Sequence, residues 1–274
     1  MELGLKGKTA LITGGDKGIG YGIAEEFARE GVSHLHLSAR DTAALEKAKN
    51  ELSSKYGATV DIYPRDLSKR DVRDQLARDC SHVDILVNCA GAVPGGNLDQ
   101  VTEDAWRAGW DLKLFGFVGI TRIIYKEMCA RRRGVIINIV GTGGISTSAD
   151  YICGGPNNAA LIHFTISLGG ASVRYGVRVV GVNPGPIDTQ RMRDLSAVAE
   201  QKVPPGELEQ WRKNQHIKMA YGRPGRVDEV TGVVAFLASE RASYISGAML
   251  TIDGGLIARG GSGLGTLIEE EEKV

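Results

Sequence analysis

The 274-residue chain is 42% hydrophobic and 24% charged, which supplies a substantial core and does not fit a disordered chain. Lysine plus arginine and aspartate plus glutamate balance at 33 each, so no global field draws nucleic acid or an anionic membrane surface, and a small molecule is the expected ligand. Cys80, Cys89, Cys129 and Cys153 form neither a C-x-x-C pair nor a dense framework, and no run approaches the roughly 18 apolar residues of a membrane span, so the expectation is a cytoplasmic protein with reduced thiols and no metal site.

The first apolar run, TALITG, predicts a strand that leads into TGGDKGIG. There Gly14, Gly18 and Gly20 fall on the spacing G-x-x-x-G-x-G before a helix that starts near Ile19. Such glycines allow a tight turn and a close backbone approach to a pyrophosphate, whose charge a helix N-terminus favours. The second strand, HLHLSAR, ends in Arg40 where a ribose-binding acid would otherwise stand. Arg40 and Lys17 together suit a 2′-phosphate, which points to NADP(H) over NAD. TVDIYP and VDILVNCAG predict strands three and four.

A single helix is expected from Thr102 to Arg132. Its polar residues Arg107, Asp111, Arg122 and Lys126 follow one stripe, whereas Lys113 has Trp106, Gly109, Trp110, Gly116, Phe117 and Ile120 as helical neighbours, which directs its ammonium inward. A buried lysine must find a partner or lose its charge, and Asp150 is the expected partner. Arg131, Arg132 and Arg133 complement the dipole at the helix end. GVIINIVG predicts the fifth strand.

SADYICGGPNNAALIHFT then runs from polar loop into an apolar helix, with Gly155 and Pro156 as cap and first-turn residues. Tyr151 lies just before that entrance, and Asn158 is placed to hold ribose hydroxyls. Cys153 has no cationic neighbour in sequence to make it a thiolate. VRVVGVNPG is the sixth strand, residues 187–222 form an insertion able to hold short helices as a substrate lid, and AMLTIDGG is the seventh strand. His163 and His216 read as structural or solvated, and Trp106, Trp110 and Trp211 as core or lid filling. Strands of continuous apolar character separated by helices predict an α/β Rossmann-type, doubly wound, seven-stranded parallel sheet in one domain over residues 1–258, with a tail at 259–274. The apolar faces of Leu112–Met128 and Asn157–Tyr175 imply a homodimer or homotetramer.

Taken together, TGGDKGIG, Asp66 after the third strand, NCAG at 88–91, GVIINI, NPGPIDT at 183–189 and SGAMLTIDGG resemble the short-chain dehydrogenase/reductase family over nearly the whole chain. The resemblance implies that Asp66, with Leu67 beside it, contacts the adenine. It likewise implies that Asn88, Ala90 and Gly91 line the cofactor channel, and that Pro184, Gly185, Ile187 and Thr189 lie near the nicotinamide. Members of that family usually carry an Asn, a Ser and a Tyr-x-x-x-Lys pair as a proton relay. The corresponding positions here are Lys113, Gly141, Gly154 and Asn158. The chain therefore reads as an atypical member without the usual tetrad.

Lys113, Asp150 and Tyr151 are the candidates to replace the relay. The first expectation is an NADPH-dependent reductase of an apolar, cyclic imine, iminium, enone or ketone, since hydride addition to an iminium needs no proton. The alternatives are a non-redox cyclase, isomerase, lyase or pericyclic catalyst that keeps NADP(H) as structure, and a regulatory protein that binds NADP(H).

Overall fold

The structure, a computed structural model, describes residues 2–259 apart from 201, 202, 205, 218 and 220. Strands and helices alternate through most of the chain. They are β1 (Thr9–Thr13), α1 (Gly18–Arg29), β2 (His34–Ala39), α2 (Thr42–Tyr56), β3 (Thr59–Pro64), α3 (Arg70–Asp79), β4 (Ile85–Asn88), α4 (Glu103–Leu112), α5 (Leu114–Arg131), β5 (Gly134–Ile139), α6 (Gly154–Ser172), β6 (Val177–Pro184), α7 (Gln190–Glu200), α8 (Leu208–Ile217), α9 (Val227–Ala238) and β7 (Met249–Ile252). The strands form one seven-stranded sheet in the order β3-β2-β1-β4-β5-β6-β7, every pair parallel. This is the doubly wound sheet that the apolar runs imply.

The sheet is buried on both faces. One layer packs Ile23, Phe27, Leu45, Leu52, Val230 and Val234 against Ile12, Leu35 and Val180. The other packs Leu76, Ile120, Ile124 and Met128 against Leu11, Leu86 and Ile136. The order in which strands are added reverses between β1 and β4, and a crevice opens beyond the C-terminal strand ends at such a switch point. Among the described residues no helix is long and apolar enough to cross a membrane.

Two expectations change at the level of elements. The helix expected over 102–132 is two helices, α4 and α5, separated by Lys113 at φ −91° and ψ −61°. The hydrogen-bond ladder continues across it, with Lys113 N–H donating to Gly109 O and Phe117 N–H to Lys113 O, so the pattern of side chains did not reveal the break. The helix after the fifth strand begins at Gly154, before Gly155 and Pro156, and the segment Val173–Tyr175 that follows it is a 3-10 turn. The insertion at 187–222 holds α7 and α8. The tail from 260 onward lies outside the described residues, as does the side chain of His216.

Candidate active site

The glycine turn is shaped by steric exclusion. Gly14 has φ +70° and Gly18 φ +57°, conformations that side chains disfavour. A Cβ at Gly14 would stand 3.1 Å from Ala90 Cα, and one at Gly20 would collide with Gly14 O. β1, the turn, α1 and the loop after β4 are therefore held at backbone contact. Thr13 locks the same corner: its hydroxyl accepts from the N–H groups of Cys89 and Ala90. Thr189, after β6, lies 3.6 Å from where a Gly18 side chain would begin. Gly14, Gly18, Gly20, Ala90 and Thr189 thus line one crevice beside the α1 N-terminus.

Lys17 and Arg40 are exposed at this end of the sheet, and no described hydrogen bond ties up either head group; Lys17 has only Asp16 at 3.9 Å. Ile19 is half-buried in the first turn of α1. These residues fit a dinucleotide, with backbone at a pyrophosphate and two cations available to a further phosphate. Asp66 is partly buried and accepts from the Ser68 N–H and hydroxyl, and those bonds, chiefly the hydroxyl's, hold its carboxyl below the usual range, with Arg40 adding to the effect.

Leu67, expected beside the adenine, and Asn88, expected on the cofactor channel, turn their side chains elsewhere. Leu67 packs in the core with Leu76 and Leu86. Asn88 is fully buried, and its Nδ2 donates to Thr121 Oγ1 and Asn138 Oδ1, while Asn138 Nδ2 donates to Thr165. That amide chain ties β4 and β5 to α5 and α6. Pro184 and Ile187 are buried, and Gly91 and Gly185 are half-buried. The Lys113 stem lies against Gly91, where a Cβ would come within 2.9 Å of Lys113 Cγ and Cδ.

At the centre, Lys113 is 9% exposed and its Nζ donates to Val140 O and to Asn158 Oδ1, both at 2.7 Å. The partner expected from sequence, Asp150, is not the one found. Its side chain is exposed, it makes no hydrogen bond or ion pair among the described residues, and its backbone carbonyl instead accepts from Gly96 N–H. The reason is local. Asp150 lies in the loop that bridges to Gly96, whereas Asn158 stands one helical turn inside α6, facing Val140 at the end of β5. Burial lowers the Lys113 pKa from 10.5 to about 8, with Arg191 pushing the same way and Cys89 opposing.

Tyr151 fills the remaining space. A Cβ at Gly154 would fall inside its ring, and one at Gly143 would meet Cε1 at 2.9 Å. The ring therefore occupies the volume that a side chain at 154 would need. Burial raises the phenol pKa, and the Arg191 guanidinium partly offsets it. Sequence reasoning missed Arg191, which stands at the start of α7 and donates to Gly91 O at 3.1 Å and Val93 O at 3.5 Å. An exposed arginine in an insertion carries no periodic signal, so no pattern could have marked it. Cys153 is buried, which raises its thiol pKa against a smaller opposing effect of Trp110, whose indole N–H donates to the Cys153 carbonyl. His163 is exposed on α6 next to Ser167.

A family profile described as enoyl-(acyl carrier protein) reductase matches residues 14–257. The 3-oxoacyl-(acyl-carrier-protein) reductase of Chlamydia muridarum is 30% identical over 257 residues, 92% of this chain and 98% of that protein. The 2-dehydro-3-deoxy-D-gluconate 5-dehydrogenase of Pseudoalteromonas atlantica is 32% identical over 267 residues, 94% of this chain and 99% of that protein. Among solved structures, L-sorbose reductase from Gluconobacter frateurii, complexed with NADPH and L-sorbose, superposes with a TM-score of 0.87 at 29% identity, covering 94% of this chain and 99% of that one. The chain belongs to the short-chain dehydrogenase/reductase family of NAD(P)-dependent oxidoreductases.

Proposed function

We propose that the protein is an NADPH-dependent carbonyl reductase in which Tyr151, reached from three residues before the helix entrance, gives the proton that the usual Tyr-x-x-x-Lys pair would supply. The observation that carries this reading is the Tyr151 ring lying in the volume a side chain at Gly154 would take. Three relatives named above are titled for a 3-oxo acyl group, a keto sugar acid and a keto sugar, which favours a ketone over an imine or enone as the reducible group. The Tyr151 ring and the Lys113 stem would give that ketone a largely apolar setting.

When bound, the dinucleotide supplies a hydride. Lys17 and Arg40 would hold its 2′-phosphate, and the turn at Gly14, Gly18 and Gly20 its pyrophosphate. Lys113 fixes the Asn158 amide with Oδ1 toward the ammonium, which leaves Nδ2, beside Gly141 and Gly143 and donating to no described residue, as the donor that would serve a ribose hydroxyl or the substrate oxygen. Tyr151 then protonates the alkoxide. An alkoxide is far more basic than a phenolate, so even a phenol of raised pKa is acid enough. Asp150 takes no part in this network.

The reading is tested with purified protein, NADPH and a panel containing a β-keto acyl thioester, a keto sugar, a cyclic ketone, an enone and a cyclic imine, following nicotinamide absorbance and product mass together. Ketone-dependent NADPH oxidation matched by alcohol is expected. Product formed without cofactor oxidation would establish a non-redox catalyst, and tight NADPH binding without any turnover a binding protein. In the same assay Arg40→Asp is expected to weaken NADPH about tenfold or more, the scale of a lost charged hydrogen bond, while NADH is little affected.

A further inference from the structure

At the opposite end of the sheet from the glycine turn, three imidazoles and a carboxylate gather on one face of β2 and β3. His34 and His36 alternate with Leu35 and Leu37, so both point to the same side of the strand. β3 runs alongside with His36 opposite Asp61 and Ser38 opposite Tyr63. His34 Nε2 lies 2.8 Å from Asp61 Oδ2, and His36 Nδ1 lies 3.9 Å from the same oxygen. One nitrogen from each histidine and one Asp61 oxygen lie within 4.8 Å of one another. The two rings stack at 4.2 Å, and His82, from the turn after α3, stands edge-on to His36 at 5.1 Å.

An ordinary surface ion pair between His34 and Asp61 does not account for His36. That side chain is 3% exposed; Nδ1 sits 3.1 Å from the Tyr63 hydroxyl, and Nε2 is buried with no hydrogen-bond partner among the described residues. The nitrogen that faces the Asp61 oxygen is Nδ1, on the side of the ring that His34 and Asp61 approach. We propose that His34, His36 and Asp61 form a binding site for a divalent first-row transition-metal ion, zinc being the best fit, with His82 able to turn in as a fourth donor.

The donor set favours this class of ion. Two imidazoles with one carboxylate suit zinc, cobalt or iron, whereas magnesium and calcium take oxygen donors. Bonds of about 2.0–2.2 Å arranged tetrahedrally hold ligand atoms roughly 3.3 Å apart. The two distances to Asp61 Oδ2, 2.8 and 3.9 Å, bracket that spacing, and the stacked rings would tilt so that both lone pairs meet one ion. The His34 side chain is 30% exposed and that of Asp61 50%, so an ion can enter from solvent. Bound there, it would fasten the edge strand β3 to β2, far from the reacting groups, and would act on stability.

The test uses the full chain stripped with a chelator and dialysed against zinc, with magnesium in parallel. One zinc per chain is expected, with a higher Tm in zinc, no magnesium retained, and cobalt giving the intense visible bands of a low-coordinate site. His34→Gln and Asp61→Asn, both at solvent-exposed side chains, should each weaken zinc at least tenfold and remove the Tm rise, while NADPH-dependent turnover is unchanged. Failure to retain stoichiometric zinc, or equal retention in both variants because ligands elsewhere hold it, overturns the proposal. Neither result touches the reductase reading.

Discussion

The residue that most constrains the chemistry is Lys113, because its pKa falls in the working range while it is buried beside Asn158 and Gly91, with Cys89 and Arg191 acting on its charge. Its pKa of about 8 lies below the ordinary 10.5. Between those values the unfolded chain keeps a proton that the folded protein has released, so stability rises with pH across that window. If its ammonium is what orients Asn158, turnover falls over the same window. Opposite trends from one group make a specific prediction: kcat declines above about pH 8 while Tm improves, and Lys113→Met lowers kcat and abolishes both slopes. Tyr151 carries the companion prediction. Its raised pKa keeps the phenol protonated at all ordinary pH, so it can give a proton but is rarely free to take one. Reduction is therefore expected to outrun alcohol oxidation at neutral pH, and Tyr151→Phe to lower ketone reduction about a hundredfold with NADPH affinity near wild type, the usual scale of a lost general acid. Unchanged turnover in Tyr151→Phe would mean that the proton comes from elsewhere.

At the scale of elements, the entrance to α6 is built from glycines that give room to a neighbour's ring. Gly154→Ala would drive a methyl into Tyr151, and the backbone of a helix first turn cannot retreat far. Overpacking of this sort costs about 1–3 kcal/mol, and the ring is the easier part to move. The expected result is a lower Tm together with most of the kcat loss of Tyr151→Phe, and little further loss when the two are combined, which a double-mutant cycle reads directly. The alternation of strands and helices, the glycine turn and the inward face of Lys113 were all legible in the sequence, because each rests on local periodicity or on backbone that only glycine allows. The break at Lys113, the choice of Asn158 over Asp150 and the placement of Tyr151 were not. They depend on which strand end faces which helix turn, and a side-chain period says nothing about distance across the sheet. The His34, His36 and Asp61 cluster escaped for the same reason, since its third donor comes from the neighbouring strand.

At the scale of the whole molecule, the layer formed by α5 and α6 leaves large apolar side chains in solvent. Phe115 is 50% exposed on α5, Ile166 46% on α6, and Val173 and Tyr175 58% and 39% at the end of that helix. The apolar side of a helix normally faces a core, so large apolar side chains left exposed on both helices favour an interaction surface here. Residues from two adjacent helices presenting similar apolar character suit a twofold interface, where each patch meets its own copy. These side chains are about half exposed, so covering one is worth about 1 kcal/mol, and several from each protomer acting together favour a homodimer or homotetramer. Light scattering coupled to size exclusion should therefore give a mass of two or four chains. Phe115→Glu combined with Ile166→Glu should give a folded monomer with a lower Tm, because two charges from each protomer would have to be desolvated at the interface. A wild-type protein that runs as a monomer at tens of micromolar would refute assembly through this face, and an unchanged oligomer in the double variant would move the interface elsewhere on the surface.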